Sequence, residues 1–213
     1  PTGFSRTYPN LLTQEGIRGD EESPSNEHTL KTLFTRMLAG AGDNTNCYFA
    51  PRVTEKMGGH VSQLAKGLMI YSPWQFLYWY DRPDGSPGKK GGAGDSDGFI
   101  KNNPELEFYK LLPTVWDESK ILEGRIGEFA TIARRSESNW FLGSLTANQA
   151  RKCSVDLSFL ETGANYTATV YSFDPDSESS TKVKIEKIPV NSEKTIDFEI
   201  GANSGLAIQI QKD

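Results

Sequence analysis

Carboxylates crowd one short stretch of this chain, Thr13-Gln14-Glu15-Gly16-Ile17-Arg18-Gly19-Asp20-Glu21-Glu22. Glu15 and Glu21 stand on either side of Gly-Ile-Arg-Gly. Gly16 and Gly19 speak against a helix, since each glycine costs about 1 kcal/mol relative to alanine. Glycine instead lets a backbone turn sharply or pass close to another group. The run reads as an irregular loop that presents acids, with Arg18 among them. Such a loop is either a site whose acids have shifted proton affinity or a solvated ion-pair network.

Metal chemistry is bounded by what else the chain carries. It holds two cysteines, Cys47 and Cys153, and two histidines, His28 and His60. That is neither a disulfide framework nor a thiolate zinc site, and two buried thiols is the expectation. Two histidines do not make a three-histidine zinc centre. A bound metal would need mostly oxygen ligands, which favours a hard cation such as calcium.

Composition narrows the function classes. The 213 residues are 36% hydrophobic and 24% charged, enough to bury a core and unlike a disordered chain. A net charge of -5 argues against nucleic acid as the main partner. No apolar run approaches the ~18 residues of a membrane-spanning helix; Leu68 to Tyr80 is interrupted by Ser72, Pro73 and Gln75. The chain opens on Pro1-Thr2-Gly3 with no signal peptide in front, so a piece of a longer protein is expected.

The elements that must position the acids change character near residue 118. Before it, Asn26-Glu27-His28-Thr29 leads into Leu30 to Thr35 as a short helix with a polar start. Met37-Leu38-Ala39-Gly40 reads as a buried strand. Val61, Leu64, Ala65 and Leu68 mark a longer helix that Pro73 breaks or restarts. Pro104 suits the first turn of a helix carrying Leu106, Phe108, Leu111 and Leu112. The glycine-rich run from Gly85 to Gly98 lacks the Gly-Lys-Ser/Thr ending of a phosphate loop and reads as a surface loop. Trp74, Phe76, Tyr78, Trp79 and Tyr80 serve either sugar stacking or core packing, with packing favoured.

After residue 118, apolar and polar residues alternate. Val155, Leu157 and Phe159 do so, as do Tyr166, Ala168 and Val170. Ile196, Phe198 and Ile200, then Leu206, Ile208 and Ile210, repeat the pattern. It predicts about eight antiparallel strands with one wet face, folded as a sandwich. Helices alternating with strands in the first half suggest either a small α/β unit or the closing portion of a (β/α)8 barrel, which takes ~250 residues in full.

Several segments then carry a resemblance. Arg6-Thr7-Tyr8-Pro9-Asn10, Glu15 to Glu21, Glu27-His28-Thr29 and Phe34-Thr35-Arg36-Met37-Leu38-Ala39-Gly40 follow in order at close spacing. Further on come Leu112-Pro113-Thr114-Val115-Trp116-Asp117-Glu118, Ile126-Gly127-Glu128 and Ile132-Ala133-Arg134-Arg135. Together they resemble glycoside hydrolase family 97, the calcium-dependent α-glucosidases and α-galactosidases. The resemblance implies α/β plus all-β architecture: residues 1–117 as the last elements of a catalytic (β/α)8 barrel, residues 118–213 as a C-terminal antiparallel β-sandwich domain.

The resemblance also implies roles. The family's Glu-Gly-x-Arg-Gly-x-Glu motif falls on Glu15 to Glu21, making Glu21 the general acid and Glu15 a Ca2+ ligand. A departing alkoxide is a poor leaving group near neutral pH, so an acid must keep its proton until the glycosidic bond breaks. Glu22 is the neighbouring alternative. Arg18 and His28 are candidate substrate contacts with structural roles as the competing reading. Asp43 sits where relatives have an aspartate, in a segment that departs from their Pro-Met-Asp-Tyr-Thr-Pro-Gly. The implied substrate is an oligosaccharide or α-glycoside and the implied location is periplasmic or secreted. The second carboxylate would precede Pro1, so little or no turnover is expected from this chain alone. The competing class is a non-catalytic carbohydrate-binding or structural β-domain, for which Tyr171 and Phe173 are the aromatic candidates.

Overall fold

The computed structural model describes residues 24–42, 44–73, 75–78, 81–86 and 98–213. Helix α1 spans Asn26–Phe34 and starts as the sequence indicates: the Ser25 hydroxyl accepts from the His28 backbone N–H. A side-chain oxygen at that position satisfies a donor the helix itself cannot. The helix buries Asn26, Thr29, Leu30 and Thr32.

The segment after α1 is not the expected buried strand. Arg36–Ala39 forms a 3₁₀ turn, and Leu38 is 82% exposed. Four apolar residues are too few for periodicity to decide their state. Local bonds decide it instead: Leu38 N–H donates to Thr35 O, Gly40 N–H to Met37 O, and the Arg36 guanidinium to Gly40 O at 3.1 Å. Gly40 closes the turn at φ 112, a conformation open to glycine.

Strands β1 (Asn44–Asn46) and β2 (Gln75–Leu77) pair in parallel, Asn44 opposite Gln75. Between them run α2 (Arg52–Glu55) and α3 (Gly59–Met69), a strand–helix–strand crossover. Helix α3 stops at Ile70, which is extended, before Pro73; the chain then enters β2 rather than a second helix. The residue before a proline is biased toward extended backbone, and here the change comes earlier still. Pro104 opens a 3₁₀ turn, Pro104–Leu106, that continues into α4 (Glu107–Leu111).

Eight strands follow: β3 (Glu118–Arg125), β4 (Phe129–Ser136), β5 (Asn139–Thr146), β6 (Arg151–Asp156), β7 (Tyr166–Phe173), β8 (Val183–Val190), β9 (Thr195–Ile200) and β10 (Gly205–Lys212). Six of them form one antiparallel sheet in the order β3-β4-β5-β10-β7-β8. The other two, β6 and β9, pair as a second sheet. Trp140, Leu142, Val155, Leu157, Ile208 and Ile210 fill the space between the sheets.

The expectation of one wet face fails for the middle of the large sheet. Strands β5, β7 and β10 are buried on both sides, because α3 lies across β5 and β10. Val61, Leu64 and Leu68 of α3 pack there with Phe141, Tyr171 and Ala207. Burying each such side chain stabilises by roughly 1.5–3 kcal/mol. Gly143 on β5 permits the approach: a Cβ there would lie 2.9 Å from Met69 Cγ and 3.2 Å from Ala65 O. Tyr171 is therefore core and no sugar platform, its ring 5.3 Å from that of Phe108, while Phe173 is 54% exposed. Both cysteines are buried thiols outside any disulfide, as expected.

Candidate functional site

Glu15, Arg18, Glu21 and Asp43 lie outside the described residues, as do Trp74, Trp79 and Tyr80. His28 is described. It is exposed in the first turn of α1, and its backbone, not its ring, makes the Ser25 bond at 3.2 Å. The cleft it borders with Thr32, Asn46 and Gln63 encloses only about 10 Å³, the space of one water, so a sugar touching the exposed His28 would sit outside that cleft.

What is described is the framework that follows the acid motif in the chain. Asn26 follows Glu21 closely in sequence and is fully buried. Its Nδ2 donates toward Ser62 Oγ at 3.0 Å, Thr146 O at 3.1 Å and Ser204 O at 3.0 Å. One side chain thus joins the start of α1 to α3, to the end of β5 and to the turn before β10. Gly58 makes room: a Cβ there would stand 2.5 Å from Asn26 Oδ1.

The C-terminal ends of β1 and β2 are tied by a carboxylate. Asp81, after β2, accepts from the backbone N–H of Tyr48 at 2.6 Å and of Phe49 at 2.9 Å, both just after β1. Burial pushes the Asp81 carboxyl above its ordinary range, and these amides oppose that. Loops at the C-terminal ends of parallel strands are where α/β folds place ligands.

Glu105, 1% exposed, links this region to the β-domain. It accepts from Tyr48 Oη at 3.2 Å, Asn103 Nδ2 at 3.1 Å and Thr181 Oγ1 at 2.6 Å. His60 packs edge-on to Tyr48, with ring centroids 5.0 Å apart, and bonds the Thr181 backbone. Burial lowers its proton affinity, with Glu105 opposing. Sequence reading missed Asn26, Asp81 and Glu105. Asn103-Pro104-Glu105 did carry a helix-start signal, but nothing local announces that the acid is buried.

Two further features bear on ligands. No group of three or more His, Cys, Asp or Glu placed to hold a metal occurs among the described residues. A cleft of about 420 Å³ on the β-domain is lined by Arg125, Glu128, Phe129, Asn148 and Arg151. Its one aromatic ring is already covered: the Arg151 guanidinium lies 3.5 Å above Phe129 and pairs with Glu123. The face under Arg151 is closed to sugar stacking.

Comparison with known proteins agrees with the resemblance read from the sequence. Residues 115–211 match the family described as glycosyl-hydrolase 97 C-terminal, oligomerisation. Over 99% of its length the chain is 28% identical to a retaining alpha-galactosidase of Bacteroides thetaiotaomicron, covering 32% of that protein. Over 74% of its length it is 30% identical to a probable retaining alpha-galactosidase of Streptomyces bingchenggensis, covering 22% of it. A family 97 enzyme of Pseudoalteromonas, solved with panose, superposes with a TM-score of 0.73 at 25% identity, over 99% of this chain and 33% of that one. The chain thus spans about a third or less of the length of these relatives. Residues 115–211 belong to the C-terminal domain family of glycosyl hydrolases 97, and the chain along its whole length is related to enzymes of glycoside hydrolase family 97.

Proposed function

We propose that the chain is the C-terminal portion of a glycoside hydrolase that cleaves α-glycosidic bonds. One observation carries this: the match to a retaining alpha-galactosidase runs over 99% of the chain and so takes in the acid loop. Both curated relatives bear that activity in their names, which favours an α-galactoside over an α-glucoside. Panose bound to the Pseudoalteromonas relative keeps the glucoside as the second arm of the test.

In this reading residues 1–117 close a (β/α)8 barrel and residues 118–213 form the β-domain. The parallel β1–β2 pair with helices between supports the barrel. Glu21 protonates the departing glycosidic oxygen, and a second carboxylate upstream attacks the sugar or activates water. Arg18, His28 and Asp43 contact the sugar. Glu15 holds a calcium ion, which when bound fixes carboxylates and sugar hydroxyls in place. The β-domain serves self-association, in keeping with its family's description, rather than sugar capture. A periplasmic or secreted location accompanies the family resemblance.

The deciding experiment is hydrolysis of nitrophenyl α-galactoside and α-glucoside by a protein extended upstream of Pro1, beside the 213-residue chain. Activity confined to the extended protein and lost in Glu21→Gln supports the reading. Activity that survives Glu21→Gln removes the proposed acid.

A further inference from the structure

The large sheet ends at two free edges among the described residues, β3 and β8. Exposed edges invite pairing with other chains, and proteins blunt them with charges, prolines and bulges. Strand β8 carries Pro189, which has no N–H to donate. Strand β3 carries a bulge and four charges, and their order is the telling feature.

Seven residues of β3 occupy ladder positions against β4: Glu118, Ser119, Lys120, Ile121, Glu123, Gly124 and Arg125, with Leu122 left out at the bulge. Because Leu122 is skipped, Glu118, Lys120, Glu123 and Arg125 oppose Arg135, Ala133, Thr131 and Phe129 on one face. Ser119, Ile121 and Gly124 share the other face, opposite Arg134, Ile132 and Ala130. The signs along the charged face run minus, plus, minus, plus. Read antiparallel against itself about Ile121, this ladder sets Glu118 against Arg125 and Lys120 against Glu123, twice each. Ile121 meets its own copy at the centre. It is 72% exposed, on an otherwise charged edge. Without the bulge, the charges would fall on alternate faces and the match would be lost, since successive strand residues point to opposite sides.

We propose that the β3 edge is the surface through which two copies of this chain associate, antiparallel about a twofold axis at Ile121, joining their six-stranded sheets. This rests on the self-association reading above and assigns it a place. A twofold contact must be self-complementary, and an alternating sign order meets that condition. The charges are within reach: the Arg125 side chain is 70% exposed, Lys120 39% and Glu118 38%. Within one copy Glu118 pairs with Lys120 at 2.7 Å, Arg125 with Glu128 at 3.1 Å, and Glu123 with Arg151. The second copy extends these pairs into a network across the edge.

Sedimentation velocity of the 213-residue chain over a range of concentrations tests this. A dimer is expected, with Ile121→Lys monomeric and still folded by circular dichroism. Arg125→Glu weakens the dimer roughly tenfold by setting like charges opposite one another, and adding Glu118→Lys restores it. Ile121→Cys forms a disulfide-linked dimer under mild oxidation, whereas the buried Cys47 and Cys153 do not link. A dimer untouched by Ile121→Lys overturns the edge while leaving self-association standing. A chain monomeric at every concentration overturns both.

Discussion

The Asn26 side-chain amide lies 3.1 Å from the carbonyl oxygen of Thr146, 120 positions further along the chain. The start of α1, just after the acid motif, is therefore anchored to the β-domain. Asn26→Ala removes the donor from Ser62 Oγ, Thr146 O and Ser204 O, although Ser204 O keeps the Thr146 N–H and Ser62 Oγ keeps its bond to Gly58 O. With Thr146 O left unsatisfied at about 1–3 kcal/mol, we expect a loss of roughly that size. Urea unfolding measures it, and a midpoint within error of wild type would refute the anchor.

Gly58 has φ 83 and no space for a Cβ beside Asn26. Gly58→Ala should destabilise by about 2 kcal/mol or more, from backbone strain and steric clash together. Combined with Asn26→Ala, the loss should be less than additive, because the clash disappears while the strain remains. Strict additivity in the double-mutant cycle would show that the two residues do not interact.

Gly143 sets how closely α3 approaches the sheet. Gly143→Ala forces a methyl group against Met69, Leu68 and the Ala65 carbonyl and should cost about 1–3 kcal/mol. Thermal unfolding checks this, and an unchanged Tm would mean that α3 shifts without penalty.

His60 makes stability depend on pH. Burial holds its folded proton affinity below the ordinary value of 6.5, so the unfolded chain binds the proton more readily. Its contribution is complete above about pH 6.5 and is lost as pH falls through and below that value. His60→Gln should flatten the fall of the urea midpoint between about pH 7 and 5. Equal slopes for variant and wild type would assign the decline to other groups.

In the protein extended upstream, Glu21→Gln should lower kcat by about 10²–10⁴-fold on a substrate with a poor leaving group. Glu22→Gln should leave most activity. Chelation should reduce turnover, with calcium restoring it. If Glu22→Gln proves the more damaging change, the acid moves one residue along.

Much of the framework was legible because its causes are local. Ser25 ahead of Asn26, Pro104 at a first turn and the alternation from Ile196 to Ile200 each act within a few residues, through caps, fixed dihedrals and the pleat. The Glu15 to Glu21 motif is local too, and it carried the family resemblance. The run from Met37 to Gly40 misled because it is too short to have a period, and its backbone bonds chose a turn.

By itself, then, the sequence determined the strands after residue 118, most of the helices and the residues expected to do the chemistry. Only the tertiary structure decided which faces stay wet. Tyr171 alternates like a half-exposed strand residue, yet α3 and α4 cover it, and that covering depends on contacts far apart in the chain. The same holds for Asn26, Asp81 and Glu105. A buried polar residue and a solvated one look alike in sequence until distant backbone groups arrive to bond them. The charges of β3 were equally plain to read. That they alternate along one face follows from skipping Leu122, a displacement that exists only once β4 lies alongside.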